Sequence, residues 1–442
     1  MKDVYGHPIT GATAEALAHY ERGLRQLQTF TGDPVASVDA ALELAPRFVM
    51  AHALKGWLYG LSTDRTAMGV ARTAHAAARD LPMTDREAGH IGALGKLVAG
   101  GWNAAGEALA VVSENNPRDA LALQAGHQID FFTGNARLLR DRIAAALPVW
   151  DASMPGYHAM LSAQAFGLEE TGDYVAAEAA GRRAVELEPS DGWGQHAVAH
   201  VMEMQCRHEE GIAWMRATPQ AWAKESFLKV HNWWHLSLFH YDLGQHEDVL
   251  ALYDGEIEGG RSSVPLNMVD ASAILWRLFL GGVDGGGRWH ALAQLWAPQA
   301  VAGNYAFNDM HAMMAFAAAG RRDLADELLA TLDGAARGEG DNAGFTRDIG
   351  LPAARAILAF TEGDNATAAR LLEPIRGIAH RFGGSHAQRD VIDLTLIEAA
   401  IRGDDAALAE RLTRERLDMR PHSPLSSLLH QRAAASRELP AA

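Results

Sequence analysis

Two pairs of histidines, His196/His200 and His231/His235, stand four residues apart inside apolar stretches, HAVAHVMEM and HNWWHLSLFH. That spacing stacks both rings of a pair on one face of a helix. The stretch from Gln195 to His246 holds seven of the chain's 20 histidines. Imidazoles at i and i+4 are a standard way of presenting two nitrogens to one metal ion. Glu203 shares the face of the first pair, so His196, His200, His231, His235 and Glu203 form a candidate ligand set for zinc or a similar divalent metal. A zincin motif would need a glutamate directly after the first histidine, and Ala197 and Asn232 stand there instead.

The same histidines could do acid–base chemistry without a metal, since an imidazole changes charge near neutral pH. Two further groups belong to this reading. His311 follows Asp309 by two residues, and His386 precedes Arg389 and Asp390. If Gly383-Gly384-Ser385 opens a helix, an arginine near its N-terminus makes an anion site. Ser385 is then a nucleophile or the helix cap, and the cap is favoured. The catalytic candidates are His196, His200, His231, His235, His311 and His386. Arg389, Asp390, Asp309, Trp234 and Asn232 are the candidates for holding a substrate.

Against this stands packing. A single histidine on an apolar helix is more often a hydrogen-bonded core residue, the reading given to His19, His52, His75, His290, His380, His422 and His430. His208, His240 and His246 lie in or near turns and are expected to be exposed. Tryptophans at helical spacing (Trp193, Trp214, Trp222, Trp233, Trp234) are read as core rather than as a ligand wall. Cys206 lies in a turn with no neighbour in sequence that marks it as a nucleophile.

The elements that must position these residues are helices. Alanine and leucine recur at helical spacing, and no stretch alternates with a period of two. Short Gly/Asp breaks return at Gly172, Cys206 and Gly244, and again at Gly320, Gly363 and Gly403, a spacing of roughly 34 to 43 residues. Each helix pair has an apolar face that only a neighbouring pair can cover. The expectation is an all-α superhelix of stacked antiparallel helix pairs, tetratricopeptide-like, around a central groove. It forms one domain over 1–442, with a sub-boundary at 281–287, a long loop at 334–350 and a frayed tail at Pro440-Ala441-Ala442.

Composition narrows the partners. Apolar residues make up 48% and charged residues 21%, the balance of a folded soluble chain. The formal charge is −16 with no basic stripe, which argues against nucleic acid. No run of 18 apolar residues is present, so no membrane helix is expected. One cysteine and an N-terminus without a basic-then-apolar leader suit a cytoplasmic protein.

Several segments, taken in order, carry a resemblance: Arg86-Glu87 with His90, Ala165 to Glu170, His196 with His200, His231-Asn232-Trp233-Trp234-His235, Asn308 to His311, and Gly383 to Asp390. With these the chain resembles the tetratricopeptide repeat protein 38 family. The resemblance implies an all-α repeat fold and carries no catalytic residues with it. Two functions remain open. One is an enzyme acting on a small polar, anionic molecule in a histidine-rich central pocket, by hydrolysis or elimination with acid–base or metal-assisted chemistry. The alternative is a non-catalytic repeat scaffold holding a peptide or protein partner in its concave face. Either leaves room for a homo-oligomer.

Overall fold

A computed structural model describes residues 1–258 and 261–438. The described residues are helical apart from turns and two isolated bridges, Lys2 with Pro8 and Thr31 with Ser226. The expected tail at Pro440-Ala441-Ala442 lies outside them. The chain divides into two compact units, the first formed by Met1–Val198, Thr218–Lys229 and Glu339–Asp341, the second by Ala199–Ala217, Val230–Gly338 and Asn342–Ala442.

The first unit is a run of helix pairs. Ala14–Thr29 pairs with Pro34–Leu44, Val49–Gly60 with Arg65–Ala78, Asp85–Val98 with Trp102–Asn115, Ala120–Phe132 with Ala136–Ala146, and Tyr157–Glu169 with Tyr174–Leu187. Short turns between packed neighbours make each pair antiparallel. From the second pair on, the first helix of a pair is the more buried: Ala120–Phe132 is covered along nearly its whole length, whereas Ala136–Ala146 buries a stripe of Leu139, Arg142, Ile143 and Ala146. Four of these five turns share one device. A residue in the left-handed region ends the first helix, and an Asp or Asn caps the second. Gly134 at φ 66° precedes Asn135, and Gly172 at φ 87° precedes Asp173. Each cap contributes about 1 kcal/mol, and the glycine adopts positive φ without a Cβ clash.

Small residues set how closely the helices approach. A Cβ on Gly167 would sit 2.6 Å from the Arg140 backbone, which cannot move aside as a side-chain tip can. Gly167→Ala is therefore expected to destabilise the fold by about 1–3 kcal/mol. The midpoint of urea unfolding reports this, and an unchanged midpoint would mean that the two helices separate freely.

The second unit repeats the plan with Pro265–Leu280 and Arg288–Trp296, Ala306–Ala318 and Arg322–Ala335, Leu351–Thr361 and Asn365–Leu372, and His386–Arg402 and Ala406–Met419, closed by Pro424–Glu438. Two of its buried indoles donate across helices: Trp276 to Thr395 Oγ1 at 2.9 Å and Trp296 to Ser272 Oγ at 2.9 Å. The Gly turn returns at Gly244, Gly320 and Gly363, while Cys206 and Asp404 hold the same left-handed backbone at φ 57° and 56° without being glycine.

Two expectations change in detail. The stretch 334–350, read as a long loop, is mostly helical: Arg322–Ala335 runs into it, Asp341–Phe345 forms a turn of helix, and Thr346–Gly350 continues with wider π-type bonding into Leu351–Thr361. Its glycines misled, because local composition says little about a segment pinned by tertiary bonds. The glycines at 281–287 make the tight turn between Pro265–Leu280 and Arg288–Trp296.

Candidate functional site

In both units the polar chemistry sits on the buried helices. Thr84 and Glu87 close a capping box that starts Asp85–Val98. One turn later His90 Nε2 reaches Asp119 Oδ2 at 2.9 Å, and Arg86 reaches the same oxygen at 2.9 Å. Asp119 also caps Ala120–Phe132 through the Ala122 N–H. Burial raises the Asp119 carboxyl, but His90 and Arg86 outweigh it and hold the group well below the usual carboxylate range. His158 Nδ1 makes the matching bond, 2.8 Å to Asp191 Oδ2, while Asp191 Oδ1 accepts the Gly194 N–H at the start of Gly192–Met204. A histidine of one buried helix thus ties to the acid that opens the next.

His196 is buried in the first unit, its ring centroid 4.6 Å from Trp193 and 5.2 Å from Phe166. His127 packs edge-on to the same two rings, and burial lowers its pKa to about 3, so it is neutral at physiological pH. The cavity beside it, lined by Gln124, Gln128 and Trp193, has about 20 Å³ of free space. That is room for a water, not for an organic substrate.

Helix Gly192–Met204 carries His200 one turn after His196 and passes into the second unit. There His200 meets His231 and His235, which stand one turn apart on Lys229–Asp242. One nitrogen from each of the three rings lies within 4.8 Å of the others. The His200 and His235 centroids are 4.4 Å apart, and those of His231 and His235 are 4.9 Å apart. His200 and His235 are fully buried, and the His231 side chain is 15% exposed. His231 Nδ1 lies 3.0 Å from both oxygens of Asp270, and Glu203 Oε2 lies 3.4 Å from His235 Nδ1. Trp234 stacks on His231 at 5.3 Å with the Arg277 guanidinium 5.5 Å from its ring, which makes it part of the support rather than an open ligand wall. Asn232 is buried on the same helix.

The other candidates go elsewhere. His311 Nδ1 is 2.8 Å from the Phe307 carbonyl of its own helix, and burial brings its pKa down to about 4. Asp309 is buried in the same helix, and desolvation pushes its carboxyl up to about 8. Ser385 is the cap of His386–Arg402, in a capping box with Gln388. The His386, Arg389 and Asp390 group divides. Arg389 folds back onto the Gly384 carbonyl and lies 3.4 Å from His386 Nδ1. Asp390 is gripped at both oxygens by Arg416, at 2.5 and 2.9 Å. Asp390 therefore belongs to a structural ion pair rather than to an anion-binding face.

That ion pair lines a second small cavity, with Glu203, His208, Asp242, Arg277 and Arg420 around about 20 Å³. His208 and His240, expected on the surface, are buried. His208 Nε2 lies 3.2 Å from Asp242, and His240 Nδ1 2.6 Å from Gln245. Burial lowers the His208 pKa, but Asp242 outweighs it and lifts the value to about 9. Asp242 also accepts the Ser423 hydroxyl at 2.8 Å. Asp270, Asp242 and Arg416 escaped the sequence reading. The available signal was a charged residue alone in an apolar helical run, as Asp270 is in PLNMVDASAILW.

No protein-family model matches the chain. Among solved structures it is similar to yeast Tom70, at 12% sequence identity, over 96% of this chain and 95% of that one, with a TM-score of 0.34. The tetratricopeptide-like assignment rests on the helix pairs themselves. No helix among the described residues is long and apolar enough to cross a membrane.

Proposed function

We propose that the chain is a tetratricopeptide-like binding scaffold whose partner is a peptide or protein segment. The observation that supports this reading is the repeated helix pair, present in both units with left-handed residues at its turns. Stacked pairs of this kind build extended surfaces that suit chain-like ligands. The second unit offers one concrete place. A cleft of about 240 Å³ opens between Tyr241, Leu280, Leu428 and Leu429, with Arg402 and Arg432 both bonded to Glu398 at its side. Its size suits one large apolar side chain of a partner. Membership of the tetratricopeptide repeat protein 38 family and a cytoplasmic location belong to this reading.

Selection of peptides on the purified chain, followed by calorimetry of the best sequence, tests it. A peptide with an apolar anchor is expected to bind, and Leu428→Glu, at a residue 51% exposed, is expected to weaken it at least tenfold. Failure of every selected peptide to outbind its scrambled control would overturn the scaffold.

A second reading is favoured by the meeting of His200, His231 and His235: an enzyme acting on a small polar, anionic molecule. It predicts that His200→Ala abolishes turnover and leaves peptide binding intact.

A further inference from the structure

We propose that His200, His231 and His235 form a centre for a divalent metal, zinc or one of similar softness, with Asp270 as its outer carboxylate. The inference goes beyond the scaffold reading and stands whether or not a peptide binds.

Three observations carry it. The first is convergence: three imidazole nitrogens from two helices lie within 4.8 Å of one another. A zinc–nitrogen bond is about 2.0–2.1 Å, so nitrogens around one tetrahedral ion stand a little over 3 Å apart, and small ring rotations close the difference.

The second is the tautomer. A carboxylate is an acceptor only, so the ring nitrogen facing Asp270, His231 Nδ1 at 3.0 Å, carries the proton. Nε2 of that ring is then the nitrogen with the lone pair, as a ligand must be. A carboxylate behind a metal-binding histidine fixes its orientation and raises its basicity. Glu203 Oε2 approaches His235 Nδ1 more loosely, at 3.4 Å. It is shared with Arg420 at 3.7 Å, which suits an orienting group better than a ligand.

The third is rigidity. Trp234 stacks on His231 at 5.3 Å, and it is itself fully buried beside Arg277. Arg277 is anchored to the Ala273 and Ala387 carbonyls at 3.0 and 2.6 Å. Nitrogen-only donors select zinc, copper, nickel or iron over magnesium or calcium.

The test uses the full chain, stripped with chelator and titrated with zinc or cobalt(II) alone. One ion per chain is expected, and cobalt is expected to give the intense visible absorption of a four-coordinate site. Asp270→Asn should keep that stoichiometry and weaken affinity about 10- to 100-fold. The double variant His231→Gln/His235→Gln, its folding checked by circular dichroism, should lose the cobalt spectrum. Absence of zinc and cobalt binding by the wild-type chain would overturn the proposal without any variant. So would a cobalt spectrum unchanged in the double variant. Either result leaves the peptide experiment untouched, so the two readings fail separately.

Discussion

Replacing Arg416 by alanine is expected to be among the most damaging single substitutions in the second unit, costing about 3–5 kcal/mol. Arg416 and Asp390 are joined by two parallel bonds, with side chains 4% and 14% exposed. Burial alone would raise the Asp390 carboxyl. Arg416 foremost, then Arg420 and Arg277, reverse this and hold it well below the ordinary carboxylate range. The acid is thus ionised at neutral pH, and removing Arg416 strands a buried negative charge. Guanidinium unfolding should show the loss as a lower midpoint at unchanged slope. The double variant Arg416→Met/Asp390→Leu should recover most of it, because removing both charges also removes their desolvation. A double variant as unstable as the single one would place the damage in packing rather than in charge.

The opposite sign is expected at Asp309. Asparagine there should stabilise the protein at pH 7, by an amount on the order of a few kcal/mol. Asp309 is 4% exposed, and its Oδ2 has no hydrogen-bond partner among the described residues. Burial, with no opposing cation, pushes its carboxyl from the ordinary 3.8 up to about 8. The sign follows from linkage. Below pH 3.8 the group is protonated in both the folded and unfolded chain, and its contribution is at its most favourable. As pH rises from there to 8, the unfolded chain ionises first and stability is lost. Asp309→Asn removes that slope. Melting temperatures at pH 4, 5, 6 and 7 should diverge from wild type as pH rises. A constant offset across the series would sink the assignment.

The repeat period and the two histidine pairs were legible because both follow from helix geometry alone: a turn every 34 to 43 residues or so, and rings that align at i and i+4. Their partners were not. Asp270 comes from a helix some forty residues further along, and nothing local to HNWWH announces it. Asp119 and Asp191 look like ordinary caps, which they are, and their second oxygens do the tying. Arg389 and Asp390 were read together as neighbours of one helix start. Adjacent residues point about a hundred degrees apart on a helix, and each takes a partner on its own side. His208 and His240 were misplaced because turn-flanking positions are usually wet, whereas here Asp242 and Gln245 hold them inside.

The short segment Glu339–Asp341 has a bearing on how the chain is made. Helix Trp102–Asn115 has no capping side chain of its own at Gly101. The Asn103 N–H is instead taken by Asp341 Oδ2 at 2.8 Å, while the Asp341 N–H bonds the Gly100 carbonyl. The two residues are 238 apart in sequence. A ribosome adding about 5–20 residues per second needs on the order of ten seconds or more to reach the clasp after Asn103 is added. During that interval the first unit exists with one helix end open. A fragment cut after Lys229 would stay in that unfinished state for good.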